Sequence, residues 1–146
     1  FVSGSSDKTS KLWDTRQQDA VMTFRDSQAD VSAVDFMTGA NAFISGSEDG
    51  VCRLYDLRTY KTIASYIVDT PVTCLAFSKS GRYFFAGYDD EAARVWSTLE
   101  TGEMKDTSCQ QLNGHSNRVS CLGVEPEEGK ALCTGNWGTG TDAKLV

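Results

Sequence analysis

Apolar and polar positions alternate along this chain in short bursts, with no convincing helical period. "VSAVDF" at 31–36, "VTCLAF" at 72–77 and "VSCLGV" at 119–124 are each alternating or wholly apolar, as a half-buried or buried strand is. A turn-like stretch follows each one: "MTGAN" at 37–41, "SKSGR" at 78–82 and "EPEEGK" at 125–130. Then comes a second apolar run, "AFIS" at 42–45, "YFFA" at 83–86 and "ALCT" at 131–134. A third strand is predicted at "VCRLYDL", 51–57, and at "AARVWS", 92–97. A looser fourth run follows at "KTIASYI", 61–67, and more weakly at "AVMTF", 20–24.

The pattern repeats in letters as well as in polarity. "SGSSDKTSKLWD", "SGSEDGVCRLYD" and "AGYDDEAARVWS" begin at residues 3, 45 and 86. A period of about 41 to 48 residues carrying four short strands is that of antiparallel sheets stacked radially as the blades of a β-propeller. One blade cannot bury both faces alone, so neighbours share a core. The expected fold is all-β: a propeller of four-stranded antiparallel blades. The predicted units are 1–19, the end of a first blade, then repeats at 20–60, 61–100 and a divergent 101–146, together forming one partial propeller domain.

Within the motif the chemistry reads as structural. Asp7, Asp49 and Asp90 fall in the tight turn between second and third strands, where a short carboxylate can accept backbone N–H bonds. Trp13, Tyr55 and Trp96 follow six residues later, each a large apolar body with one polar handle. Gly4, Gly46, Gly87 and Gly135 mark a bend before each turn, where a missing Cβ helps. His115, the one histidine, precedes the first strand of the last unit. It reads as a structural histidine bonded to a turn carboxylate or a strand hydroxyl.

Composition narrows the function. The chain has 146 residues, a net charge of −6 and 40% hydrophobic content, a globular composition. Lys and Arg are scattered among the acids, which argues against nucleic acid or an anionic membrane surface as the main partner. No apolar run approaches the roughly 20 residues of a membrane span. Position 1 is Phe rather than Met and no charged-then-apolar leader follows, so the sequence is expected to start inside a longer coding sequence. Cys52, Cys74, Cys109, Cys121 and Cys133 are odd in number and form no C-x-x-C pair, so reduced intracellular thiols are expected. No Ser–His–acid arrangement, Walker motif or metal-ligand spacing is visible. "GTG" at 138–140 is too short for a phosphate loop. The chain is expected to be non-catalytic, with no cofactor and no metal.

Gly114-His115 before a strand and a strand ending Trp13-Asp14 resemble WD-repeat propellers. "FVSGSSDKTSKLWD", "NAFISGSEDGVCRLYDLR", "FSKSGRYFFAGYDD" and "GHSNRVSCLGV" are similar to the β subunit of heterotrimeric G proteins over nearly the whole chain, most weakly at 97–111 and 138–146. The resemblance implies a seven-bladed ring, of which this chain would supply about three and a half blades. It implies a hydrogen-bond tetrad of His, strand Ser or Thr, turn Asp and Trp in each blade. The second unit would use Ser45, Asp49 and Tyr55 with Ser27 at the His position. The third has Asp90 and Trp96, but Ala86 lacks the hydroxyl. The fourth has His115 and Thr134 with Gly138 where the Asp belongs, and "GTGTDAKLV" departs from the family pattern.

The resemblance further implies a signalling scaffold that binds an α subunit, a γ subunit and effectors in receptor-coupled transduction. It would lie in the cytoplasm and, through its partner subunits, at the cytoplasmic face of the plasma membrane. It would not insert into the membrane itself. The positions matching the family's α-subunit and effector face are Ser6, Asp30, Ser32, Glu48, Asp89, Arg118 and Trp137. The altered tetrads and unusual C-terminal stretch motivate an alternative, a divergent or truncated WD-repeat scaffold of another pathway.

Overall fold

A computed structural model describes residues 1–138 and, as backbone, residues 143–145. The stretch "GTGTDAKLV" at 138–146, where the sequence departs from the family pattern, falls largely on residues 139–142 and 146, outside the described residues. Fifteen strands run along the described chain with one short 3-10 turn and no α-helix. They form four sheets, successive blades of a partial β-propeller.

The first sheet holds β1 (Val2–Gly4), β2 (Ser10–Trp13) and β3 (Ala20–Phe24) in that order. The second blade is a meander of β4 (Val31–Phe36), β5 (Ala42–Ser47), β6 (Val51–Asp56) and β7 (Lys61–Ile67). In the third, β8 (Val72–Phe77), β9 (Tyr83–Tyr88) and β10 (Ala93–Ser97) are followed by β11 (Gly102–Lys105), a 3-10 turn at Asp106–Ser108 and β12 (Gln110–Leu112). β12 pairs with β10 and closes the blade. The fourth sheet holds β13 (Val119–Val124), β14 (Leu132–Asn136) and β15 (Ala143–Leu145). The predicted first strands coincide with β4, β8 and β13, and both predicted fourth runs form strands, β3 and β7. Sheet and repeat boundaries are offset: β3 and β7 open the repeats at 20–60 and 61–100 but each closes the preceding blade. The offset ties neighbouring blades together through the chain itself.

The 97–111 stretch contains a pairing the alternating pattern does not signal. β11 leaves its own blade and pairs in parallel with β7, making the second sheet five-stranded.

The core lies between blades. Ile44, Cys52, Leu54, Tyr66, Val72, Phe84, Tyr88 and Trp96 form one buried cluster between second and third blades. Phe24, Phe43 and Tyr55 form another between first and second. Tyr66 meets Phe84 edge-on at 4.7 Å, and Phe43 stacks on Tyr55 at 4.8 Å, geometries that add to simple area burial.

The recurrent glycines have a different physical reason from the expected bend. Gly46, Gly87 and Gly135 lie inside strands β5, β9 and β14, and their φ is not positive. Gly46 is needed where the next blade presses in, Gly87 where both the next blade and Cys74 of its own blade do, and Gly135 where Cys121 of its own blade lies. A methyl group on Gly4 would lie 2.6 Å from Val31 Cγ1, on Gly46 2.5 Å from Val72 Cγ1, and on Gly87 2.8 Å from Val119 Cγ1. Opposite Gly46, Gly87 and Gly135 the partner strand is bulged, between Val31 and Ala33, Val72 and Cys74, and Val119 and Cys121. The residues inside those bulges are Ser32, Thr73 and Ser120. A bulge re-aims one side chain, and here it aims a hydroxyl. Ser32 Oγ donates to Val72 O of the next blade at 2.6 Å. Thr73 Oγ1 donates likewise to Val119 O, and Ser120 Oγ donates to Gly135 O within its own blade.

Removing the first of these hydroxyls leaves the Val72 carbonyl without that bond. Ser32→Ala is expected to cost about 1 kcal/mol of folding stability with an unchanged urea m-value, measured by equilibrium denaturation.

Candidate functional site

The turns between second and third strands and the segments entering each first strand share one rim. Three backbone bonds repeat along it: Glu48 N donates to Asp30 O at 2.9 Å, Asp89 N to Pro71 O at 3.2 Å, and Trp137 N to Arg118 O at 3.3 Å. Glu48, Asp89 and Trp137 thus hold equivalent places in successive blades, and all three are exposed. The Asp89 carboxylate pairs with the Arg118 guanidinium at 3.3 Å across the seam of third and fourth blades. Asp89, Arg118 and Trp137 therefore form one cluster, with the indole 70% exposed. Asp30 and Glu48 form a second group one blade away. Ser6 is exposed in the first-blade turn, next to Ser5, whose carbonyl accepts from Val31 N at 3.0 Å. Ser32 stands apart, since its hydroxyl faces the carbonyls of Gly46 and Val72.

Beneath the rim, the three turn carboxylates share one local geometry. Each accepts from the backbone N–H two residues on: Asp7 from Thr9, Asp49 from Val51 and Asp90 from Ala92. Their further partners differ. Asp7 takes the Thr9 hydroxyl at 2.6 Å, and this bond above all lowers its pKa. Asp49 takes Gln28 N at 2.8 Å and the Arg53 guanidinium at 3.0 Å. Asp90 takes the Arg94 guanidinium at 2.6 Å. Burial works to raise the Asp49 carboxyl, but the bonds from Arg53 and Gln28 prevail and hold it below the ordinary 3.8.

The two arginines are functional-looking residues that the motif analysis did not single out. Both lie four residues after the turn Asp and both are buried. Arg53 also reaches the Ser27 hydroxyl at 3.5 Å, so a guanidinium links the turn to the position where the resemblance expects histidine. Arg94 lies over the Tyr88 ring at 4.5 Å and additionally binds Asp106 at 2.6 Å. The signal for them was the spacing Asp-x-x-x-Arg at 49–53 and 90–94, answered by Lys11 after Asp7.

The aromatic handles also find partners in different ways. Trp13 Nε1 donates to Ser3 Oγ at 2.9 Å. Trp96 Nε1 donates to Tyr88 Oη at 3.1 Å, so Tyr88 supplies the hydroxyl that Ala86 lacks. Tyr55 packs against Phe24 and Phe43. His115 Nε2 lies 2.8 Å from Thr134 Oγ1. All five cysteines are free thiols. Burial pushes the Cys52 thiol up to about 12, which leaves almost no thiolate at neutral pH. Among the described residues no three His, Cys, Asp or Glu side chains could hold a metal, and no helix is long and apolar enough to cross a membrane. What this rim offers is an exposed aromatic on the same edge as half-exposed charges.

Comparison with known proteins finds relatives along nearly the whole chain. The family model described as WD domain, G-beta repeat matches residues 18–56 and 60–97. The chain is 46% identical over 144 residues to the guanine nucleotide-binding protein subunit beta of Arabidopsis thaliana, covering 94% of this chain and 38% of that protein. It is 45% identical over 146 residues to subunit beta-1 of Nicotiana tabacum, covering 95% and 38%. The subunit beta of Zea mays is 42% identical over 146 residues, covering 94% and 38%. The chain thus spans 38% of the length of each of these relatives.

The Asp49–Arg53 pair makes a pH-dependent prediction. A carboxyl held below its unfolded value contributes stability above that value and loses it as pH falls through the folded one. Asp49→Asn also leaves a buried guanidinium without its counter-ion. The variant is expected to lose about 3 kcal/mol at pH 7. The loss should shrink as pH falls below the ordinary carboxylate value of 3.8, read from denaturation curves at a series of pH values.

Proposed function

The chain belongs to the WD domain, G-beta repeat family, and from that premise we propose that it serves as a non-catalytic signalling scaffold of the G-protein β-subunit kind. Its partners in this reading are a G-protein α subunit, a γ subunit and effector proteins. The observation that carries the proposal is identity of 46% spread over 94% of the chain to a protein named as a guanine nucleotide-binding β subunit. Similarity confined to the repeat letters would support only a propeller. Here it covers 94% of the chain, beyond the two stretches, 18–56 and 60–97, that the repeat model matches.

The partner face of this proposal is the rim carrying Ser6, Asp30, Glu48, Asp89, Arg118 and Trp137, with Ser32 serving the seam beneath it through its bonds to Gly46 O and Val72 O. Trp137 is the anchor, because a fully desolvated aromatic is worth far more at an interface than a rim charge. Asp30 and Glu48 give the rim an acidic stretch that speeds encounter with a basic surface and selects against wrong partners. Asp89 is already half-neutralised by Arg118, so that pair acts as one polar flank for the indole. The proposed site needs no metal, cofactor or activated nucleophile. Membrane association would come through partner subunits rather than through this chain.

The test is a binding titration of the full-length protein, with its γ subunit, against a GDP-loaded α subunit. Trp137→Ala is expected to weaken binding by about 2 kcal/mol, roughly thirtyfold. Glu48→Gln is expected to slow association and to flatten its salt dependence, with little change in dissociation. Full-length protein that binds neither subunit would assign the scaffold to another pathway.

A further inference from the structure

Residues 98–109 do something that no other connection in the described chain does. In the second blade, residues 57–60 are enough to join third strand to fourth. In the third blade the chain instead leaves β10, crosses the seam, pairs β11 in parallel with β7 of the neighbouring blade, and returns through Asp106–Ser108 to β12. It lies across the outer edge of the second blade. We propose that residues 98–109 are a releasable strap that latches the second and third blades together at the outer rim, with Arg94 as its catch.

Three observations make it a strap that can open rather than a fixed part of the core. First, its hold is shallow. Gly102, Glu103, Lys105, Asp106, Thr107 and Ser108 are exposed, and only Met104 and Cys109 pack partly against the core. Its ladder is four parallel pairs, from Gly102 opposite Ala64 to Lys105 opposite Ile67, and parallel pairing is slightly weaker per residue than antiparallel. Segments of this kind open locally well below the free energy of global unfolding.

Second, the catch is built for partial release. The Arg94 side chain is only 4% exposed and holds two carboxylates, Asp90 of its own turn and Asp106 of the strap, each at 2.6 Å. It also lies over the Tyr88 ring. When Asp106 departs, Asp90 and the ring remain, so the buried cation is never left alone. A buried guanidinium with a single partner would make opening far more costly. Asp106 itself is half exposed and can be solvated once free.

Third, there is space beneath. A cleft of about 410 Å³ is lined by Ile67, Val68, Asp90 and Arg94 on the blade side and by Lys105 and Thr107 of the strap. The strap therefore bridges the seam rather than filling it. Opening removes β11 from β7 and leaves the second blade a free outer edge, like those of the first and third. A bare strand edge can accept an extended segment, so strap position decides whether that edge is open.

Amide hydrogen exchange on the full-length protein tests this. In the native protein, amides of β11 should exchange at least about tenfold faster than those of β5, β6 and β9, as a separate unit. Asp106→Asn should speed exchange of β11 and of the β7 edge by a further three- to tenfold or so, while β5, β6 and β9 stay unchanged. Asp106→Glu should restore most of the protection. The proposal is overturned if β11 exchanges together with β5 and β6 in the native protein. It is equally overturned if Asp106→Asn leaves β11 unaltered, or opens both blades at once. Should that variant fail to fold, the native exchange pattern decides alone.

Discussion

Neighbouring blades can meet only because a glycine stands in the second strand of one where the first residue of the next first strand arrives. Val31, Val72 and Val119 each occupy the space that a side chain at Gly4, Gly46 or Gly87 would need. The remaining features of the seam follow from that approach. Strand pairing must bulge opposite Gly46 and Gly87 to let the next strand in. The bulge turns Ser32 and Thr73 towards the next blade, where their hydroxyls bond to the carbonyls of Val72 and Val119. Close approach also brings the aromatic faces of adjacent blades into one buried layer, the cluster of Tyr66, Phe84, Tyr88 and Trp96. A close-packed interior of this kind has little room for extra volume.

Once blades are that close, the polar groups near the seam need partners, since an unpaired buried group costs about 1–3 kcal/mol. Ser45 Oγ and Tyr66 Oη go without a hydrogen-bond partner among the described residues, and elsewhere the blades meet this need with different residues. Trp13 uses Ser3, Trp96 uses Tyr88, and His115 uses Thr134. Asp49 and Asp90 use arginines four residues on, where Asp7 uses a threonine hydroxyl. The backbone arrangement tolerates this because the turn itself is held by the N–H two residues after the Asp, which any residue except proline supplies. Divergent side chains can therefore sit on a constant frame, with Glu48, Asp89 and Trp137 exposed at equivalent places on the rim.

Strand positions were legible because period-two alternation is a local signal. "VSAVDF", "VTCLAF" and "VSCLGV" become strands over the same residues, and the third runs at 51–57 and 92–97 end within a residue of β6 and β10. What lay beyond the sequence was contact between distant elements. The glycines stood out by recurrence, but their reason, Val72 against Gly46, lies 26 residues away. β11 was illegible for the same cause: "GEMK" has no strand alternation of its own, and its pairing depends on the free edge of β7. Arg94 could have been marked by its spacing from Asp90, yet its second partner, Asp106, lies beyond the crossover. At the rim, sequence named positions, and the fold supplied their adjacency, joining Asp89, Arg118 and Trp137 across one seam.

The fold depends on the glycine seam, and a double-mutant cycle at Gly46 and Val72 tests this most directly. Stability would be measured for Gly46→Ala, Val72→Ala and the pair. If the seam is the governing constraint, the smaller residue at 72 makes room for the added methyl. The pair should then be more stable than the sum of the single changes predicts, by about 1 kcal/mol or more. Additive effects would mean that Gly46→Ala destabilises for some reason other than the approach of Val72, contradicting a seam governed by that packing.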